Sequence, residues 1–183
     1  MSHLLARLLS CCAALLLALG AVAGEGDGDA VSGYQLGAGD RIQVYVFDEP
    51  ELSLEYTLSD AGTISYPFLG EIRVKGLTIG QLEERITRGL KGPYLVDPRV
   101  NVTIREYRQF FILGEVNTSG GYAFRPGLTL RKAISVAGGL SADASEKKIF
   151  VIRETDPARA KQPIGMDDPV YAGDTVMVEK GFF

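Results

Sequence analysis

From residue 34 onward the apolar residues recur at every second position in a series of short segments, and only two segments carry a helical repeat instead. Arg41-Ile42-Gln43-Val44-Tyr45-Val46-Phe47 and Arg99-Val100-Asn101-Val102-Thr103-Ile104-Arg105 alternate polar and apolar, the mark of strands with one buried face. Shorter strands are predicted at 56–58, 63–66 and 70–74, separated by the Asp48-Glu49-Pro50-Glu51 and Asp60-Ala61-Gly62 turns, a rhythm that reads as an antiparallel meander. Thr78 opens the first helix. Its hydroxyl stands in capping position with Gln81 three residues on, and Ile79, Leu82, Ile86 and Leu90 form one apolar stripe. Glu83 and Glu84 come early and Arg85, Arg88 and Lys91 late, which matches the helix dipole. The stripe reads as a core face packed on a sheet.

A second strand and helix series begins after Tyr107. A strand is predicted over 109–116, a hairpin return at 122–124, a helix over 129–137 closed by Gly138-Gly139, and strands over 148–153 and 172–178, with 156–161 as an exposed linker. The restart places a domain boundary near Tyr107, dividing 34–106 from 107–183. The closing Ala172-Gly173-Asp174 repeats Ala38-Gly39-Asp40 in pattern, each a turn that feeds an alternating strand. The copies are too far apart for a solenoid period.

The N-terminus reads as an export signal. Arg7 precedes an apolar run to Ala23, and Ala21-Val22-Ala23 is a small-x-small site, so residues 1–23 are a predicted signal peptide and 24–33 a flexible, Gly- and Asp-rich start to the mature chain. A retained N-terminal anchor is the alternative. Leu8-Leu9-Ser10-Cys11 also resembles a lipobox, which leaves lipidation of Cys11 open, although cleavage there would strand the apolar 13–23 run on the mature protein.

Cleavage after Ala23 removes Cys11, Cys12 and His3, the chain's two cysteines and single histidine. A Ser-His-Asp or Cys-His nucleophile system then lacks its imidazole, the usual zinc ligands are gone, and no disulfide can form in the oxidising compartment the signal implies. The net charge of −4 and pI near 5.1 lack the basic footprint of a nucleic-acid partner. No cofactor or metal is expected. The carboxylates that remain, Asp48, Glu49 and Glu51, sit on a single turn and do not face one another across a substrate, so they read as a solvated turn or a subunit contact. Gly114 to Gly121 lacks the Gly-Lys-Ser/Thr ending of a phosphate loop and reads as a hairpin. Arg105, Tyr107, Arg108 and Arg125 are the candidate saccharide or anion contacts, because guanidinium and aromatic groups can address one ligand together; their plain alternative is the rim of a sheet.

Several of these pieces, in order, resemble one family. Tyr34-Gln35-Leu36-Gly37-Ala38-Gly39-Asp40, Asp60-Ala61-Gly62-Thr63-Ile64 with Pro67-Phe68-Leu69-Gly70, and Gly76-Leu77-Thr78 look like the export domain of bacterial outer-membrane polysaccharide export proteins. Phe111-Ile112-Leu113-Gly114-Glu115-Val116-Asn117, Pro126-Gly127-Leu128-Thr129-Leu130, Ala137-Gly138-Gly139-Leu140 and Gly173-Asp174-Thr175-Val176-Met177-Val178 resemble the soluble-ligand-binding β-grasp (SLBB) domain that follows it. Ser119-Gly120 departs from the Pro-Gly that usually follows the Gly-Glu-Val turn.

The resemblance implies an α+β protein: a small mixed-sheet export domain with a packed helix, then a β-grasp domain. Its implied role is that of a non-enzymatic periplasmic component of a capsule or exopolysaccharide export apparatus, assembling as a homo-oligomeric ring around the polymer. Its implied partners are the polysaccharide, an inner-membrane polysaccharide co-polymerase and a separate outer-membrane channel protein, with association at the outer membrane. The ending Lys180-Gly181-Phe182-Phe183 stands where larger members continue with further domains and a pore-lining helix, so a short member is expected, with Phe182 and Phe183 as candidate partner contacts. A monomeric periplasmic saccharide-binding module is the second reading.

Overall fold

The computed structural model of the protein describes residues 33–181; the expected signal peptide, nearly all of the 24–33 stretch, and Phe182 and Phe183 lie outside the described residues. Strand β1 (Arg41–Val46) buries Ile42, Val44 and Val46 and leaves Tyr45 exposed, the outcome its alternation demands. It pairs antiparallel with β2 (Glu55–Thr57) on one edge and with β5 (Val100–Glu106) on the other. Strands β3 (Thr63–Tyr66) and β4 (Gly70–Arg73) form a separate antiparallel hairpin.

The meander expected over 41–74 is therefore interrupted after β2. The second edge of β1 is taken by β5, whose buried Val102 joins the same core. The hairpin is tied in by other means: the Gly62 carbonyl accepts the N–H groups of Val74 and Lys75, Ile64, Tyr66 and Ile72 are buried, and the Tyr66 hydroxyl donates to the Leu52 carbonyl at 2.9 Å.

Helix α1 (Ile79–Leu90) starts with the capping box the sequence predicts. The Gln81 N–H donates to the Thr78 hydroxyl, and the Thr78 N–H donates to the Gln81 side-chain carbonyl at 3.0 Å. Leu82, Ile86 and Leu90 are fully buried against the sheet, and Ile79 is half-buried. Glu83 fastens the helix to β5 by accepting the Val102 N–H at 2.7 Å.

The second unit runs through β6 (Phe110–Gly114), β7 (Gly120–Tyr122), α2 (Leu130–Val136), β8 (Ala144–Ile152), β9 (Lys161–Pro163) and β10 (Thr175–Lys180). The sheet order is β7-β6-β10-β8-β9, with β6 and β10 parallel at its centre and the other pairs antiparallel. A first and last strand running parallel side by side, with the helix between them in sequence covering one face, is the β-grasp arrangement. Ala133, Ile134 and Ala137 share the buried side of α2, as their spacing predicts, and meet Phe110, Ile112, Val151 and Val176.

Several element ends shift from their predicted positions, β7 to 120–122 and β10 to 175–180 among them, and two differences have a clear physical reason. Strand β8 begins at Ala144, earlier than 148, because the polar Ser145, Glu146 and Lys147 give no apolar alternation to read although Ala144 still pairs with Lys180. Strand β9 is not among the predicted elements and takes Lys161 from the end of the expected 156–161 linker; all three of its residues are exposed, and as an edge strand it tolerates Pro163.

The core of the first unit hangs on α1, which sets the expected ranking of two substitutions. Ile86→Ala should lower unfolding free energy by about 3 kcal/mol through the cavity it opens, and Thr78→Ala by about 1 kcal/mol through the lost cap. Urea denaturation followed by circular dichroism measures both.

Candidate functional site

Asp40 and Asp174, the two Ala-Gly-Asp aspartates, are the buried charged residues among those described, at 0% and 2% exposure. A carboxylate out of water must be hydrogen-bonded and paired with a cation. Each turn begins to meet that demand by itself, since the N–H three residues upstream donates to the aspartate: Gly37 to Asp40 at 2.8 Å and Tyr171 to Asp174 at 2.8 Å.

The cations differ. Asp174 takes Arg153 of its own unit, at 2.6 Å. Asp40 takes Arg108, from the three-residue link between β5 and β6. The Arg108 backbone N–H donates to Asp40 Oδ1 at 2.8 Å and its Nη1 to Oδ2 at 2.9 Å. The same guanidinium donates through Nε to Glu154 Oε2 at 2.6 Å, in the second unit. Glu154 in turn donates its N–H to Asp174 Oδ1 at 3.4 Å. The two turns are thus joined by a continuous chain, Asp40–Arg108–Glu154–Asp174, across the seam.

Tyr34 completes the cluster. Its hydroxyl donates to Asp40 at 2.8 Å and accepts from Arg108 Nη1 at 2.6 Å, and its ring stands edge-on to Tyr107 with centroids 4.9 Å apart. Phe124 of the second unit closes the aromatic group, 5.5 Å from Tyr107. Burial, then the charge of Asp40, pushes the Tyr34 hydroxyl far above its ordinary value, and Arg108 offsets only part of this. Tyr107 is raised for the same two reasons. Burial pulls the Arg108 guanidinium down, but Tyr34, Asp40 and Glu154 outweigh it and hold the group above its usual value.

Glycines make the room. A Cβ on Gly37 would lie 2.5 Å from the Arg108 Cζ, and one on Gly173 would lie 1.8 Å from Glu154 Oε2 while also requiring a left-handed φ of 84°. Beside the cluster is a cavity of about 410 Å³ whose wall includes Tyr34, Arg108, Phe124, Leu128, Val170 and Tyr171. Tyr171 is 54% exposed, with Arg153 5.1 Å over its ring.

The sequence-derived candidates are dispersed by this geometry. Arg108 is 12% exposed at its side chain and engaged by Asp40, Glu154 and Tyr34. Tyr107 is half-buried beside it. Arg105 is exposed near the end of β5, and Arg125 is exposed on the loop after β7, adjacent in sequence to Phe124 and Pro126 of the cavity wall. Asp48, Glu49 and Glu51 surround a single 3-10 turn, Pro50–Leu52. Tyr34, Asp40, Arg153, Glu154 and Asp174 were not singled out from the sequence. The repeated Ala-Gly-Asp was the available signal: two identical turns, each carrying a carboxylate into a core.

Residues 29–105 match the family model described as polysaccharide biosynthesis/export protein, and residues 109–167 match the SLBB domain model. The chain belongs to the polysaccharide export family, with an export domain followed by an SLBB domain. The exopolysaccharide production protein ExoF of Rhizobium meliloti (strain 1021) is 34% identical over 149 residues, covering 73% of this chain and 35% of its own length. The EPS I polysaccharide export outer membrane protein EpsA of Ralstonia nicotianae (strain ATCC BAA-1114 / GMI1000) is 28% identical over 181 residues, covering 80% of this chain and 47% of its own length. The chain therefore spans less than half the length of these curated relatives. No helix among the described residues is long and apolar enough to cross a membrane. The Asp40–Arg108–Glu154 chain joins the export domain to the SLBB domain of this family member.

Two outcomes follow. Arg108→Met should cost about 3 kcal/mol, because it strands Asp40 as an uncompensated buried charge, and adding Asp40→Asn should restore part of the loss; chemical denaturation of the single and double variants checks this. The raised Tyr34 hydroxyl keeps its proton in the native state where the unfolded chain has lost it. Its contribution to stability is therefore complete below about pH 10 and declines as pH rises further. Tyr34→Phe should flatten that decline without abolishing it, since burial raises Tyr66 as well. Urea midpoints taken between about pH 9 and pH 11 measure the slope.

Proposed function

We propose that the protein is a non-enzymatic periplasmic component of a capsule or exopolysaccharide export apparatus, forming a ring that links inner-membrane machinery to an outer-membrane channel. The observation that carries the reading is the export domain joined to an SLBB domain through the Arg108 ion pairs. A bracket of two domains held at one angle is what a repeating subunit of a closed ring requires. The relatives' names, an exopolysaccharide production protein and an EPS I polysaccharide export outer membrane protein, favour the same process, and the second favours the outer membrane as the place. On this reading 34–106 and 107–183 are the two working domains, the partners are the polymer, an inner-membrane co-polymerase, a separate channel protein and further copies of the chain, and no bond of the polymer is broken.

The cavity lined by Tyr171 favours a second reading, a monomeric module that captures a soluble saccharide; of the sequence-derived candidates Arg105, Tyr107, Arg108 and Arg125, Arg108 is part of its wall.

Mass measurement of the purified protein in solution and in mild detergent separates the two: a discrete closed oligomer supports the conduit, and a monomer with saccharide affinity supports the module. Deletion of the gene should stop polymer secretion while synthesis continues. Complementation with the Asp48→Asn, Glu49→Gln, Glu51→Gln triple variant should restore secretion, and neither form should hydrolyse the host polymer. Hydrolysis lost in the triple variant would overturn the non-enzymatic reading.

A further inference from the structure

A groove of about 540 Å³ lies where the open faces of the two domains' sheets meet, and its wall includes Arg41, Glu106, Gln109, Phe111, Glu154 and Arg159. Its charges pair off with one exception. Arg41 bridges to Glu106 at 3.2 Å and Arg108 to Glu154 at 2.6 Å, whereas Arg159 has no ion pair among the described residues.

Arg159 is also held in an unusual place. Its φ of 47° is in the left-handed region, which strains a residue with a Cβ. Asp156 enforces it: the Arg159 N–H donates to the Asp156 carbonyl at 3.0 Å, and the Asp156 carboxylate accepts the N–H groups of Ala158 at 2.9 Å and Ala160 at 3.2 Å. The turn that Asp156 closes thus places an unpaired cation on the groove wall, in a backbone conformation that is a candidate mark of function.

The wall also supplies an apolar platform. Phe111 is on the face of β6 away from the core and 43% exposed, and its ring lies over Gly121 of β7, where a Cβ would come within 3.0 Å of it. Gln109 and the Glu106 carboxylate add a planar amide and an acceptor to the same wall. An aromatic face, planar polar side chains and one uncompensated guanidinium suit a ligand with an apolar C–H face, hydroxyls and a carboxylate on one ring.

We infer that this groove binds a carboxylated sugar unit of the polymer, its carboxylate on Arg159 and its C–H face on Phe111, an assignment that rests on the export reading and adds the charge class of the substrate. The seam position lets one sugar touch both domains.

The test is calorimetric titration of the full chain with a short oligogalacturonate, beside a neutral malto-oligosaccharide and inorganic phosphate. Oligogalacturonate should bind, more weakly as salt is raised, and at least tenfold tighter than either control. Arg159→Gly should weaken binding at least tenfold while leaving thermal stability equal or higher, since glycine takes a φ of 47° without strain. Phe111→Ala should lower affinity by a similar factor, and Arg131→Ala, which removes an exposed cation of α2, should change nothing. Unaltered binding in Arg159→Gly overturns the assignment, as does phosphate binding as tightly as the oligosaccharide. It is equally overturned if Phe111→Ala converts an oligomer to monomers with saccharide affinity intact, because a second copy then covers the groove. If these binding results fail while gene deletion still stops secretion, the groove assignment falls alone; normal secretion by the deletion strain removes the export reading instead.

Discussion

The buried Asp40 carboxylate is the constraint around which the two domains are arranged. Its burial at 0% exposure leaves it dependent on protein donors, and four groups provide them: the Tyr34 hydroxyl, the Gly37 N–H, and the backbone and side chain of Arg108. Two of these four come from one residue of the interdomain link. Because Arg108 is held by its main chain and its side chain together, the link itself constrains the direction in which the chain enters β6. Glu154 then takes the remaining face of the same guanidinium, so one cation serves a carboxylate on each side of the seam.

The second Ala-Gly-Asp turn shows what the first has been adapted to do. Both turns bury an aspartate and satisfy it with the N–H three residues upstream, but Asp174 is neutralised within its own domain by Arg153. The difference between a self-contained turn and a connecting one is the origin of the arginine. Gly37 and Gly173 are required by the space that charged neighbours fill: the Arg108 guanidinium lies where a Cβ of the first would be, and the Glu154 carboxylate where a Cβ of the second would be.

Much of this fold was legible because its signals are local. Thr78 and Gln81 announce α1, the period of two announces β1 and β5, and Gly138-Gly139 ends α2; each is decided by residues within one turn or strand. The pairing of β5 with β1 in place of a continued meander was not legible, because the strand pattern records which face is buried and not which neighbour is bonded. Strand β9 escaped because an exposed edge of Lys161, Gln162 and Pro163 has no apolar alternation. The site fared similarly. Tyr107 and Arg108 stood out by composition, but their role depends on Asp40 and Glu154, which are distant in sequence from Arg108, and no spacing rule links residues that meet only after two domains have folded. The left-handed backbone of Arg159 is likewise set by Asp156 hydrogen bonds that the sequence around it does not advertise.

A seam built on ions is a poor way to gain stability, since well-packed apolar residues often do as well or better once desolvation is counted. What the ions supply is direction. Apolar surfaces tolerate sliding and small rotations at little cost, whereas the Arg108 guanidinium must keep Asp40, Tyr34 and Glu154 within hydrogen-bond reach and angle at once. In the proposed ring the angle between domains is repeated in every subunit, so an error of a few degrees in one bracket accumulates around the circle and decides whether it closes. A mostly covered arginine bonded to both domains meets that requirement in a chain where the two cysteines fall outside both domains and no disulfide crosses the seam.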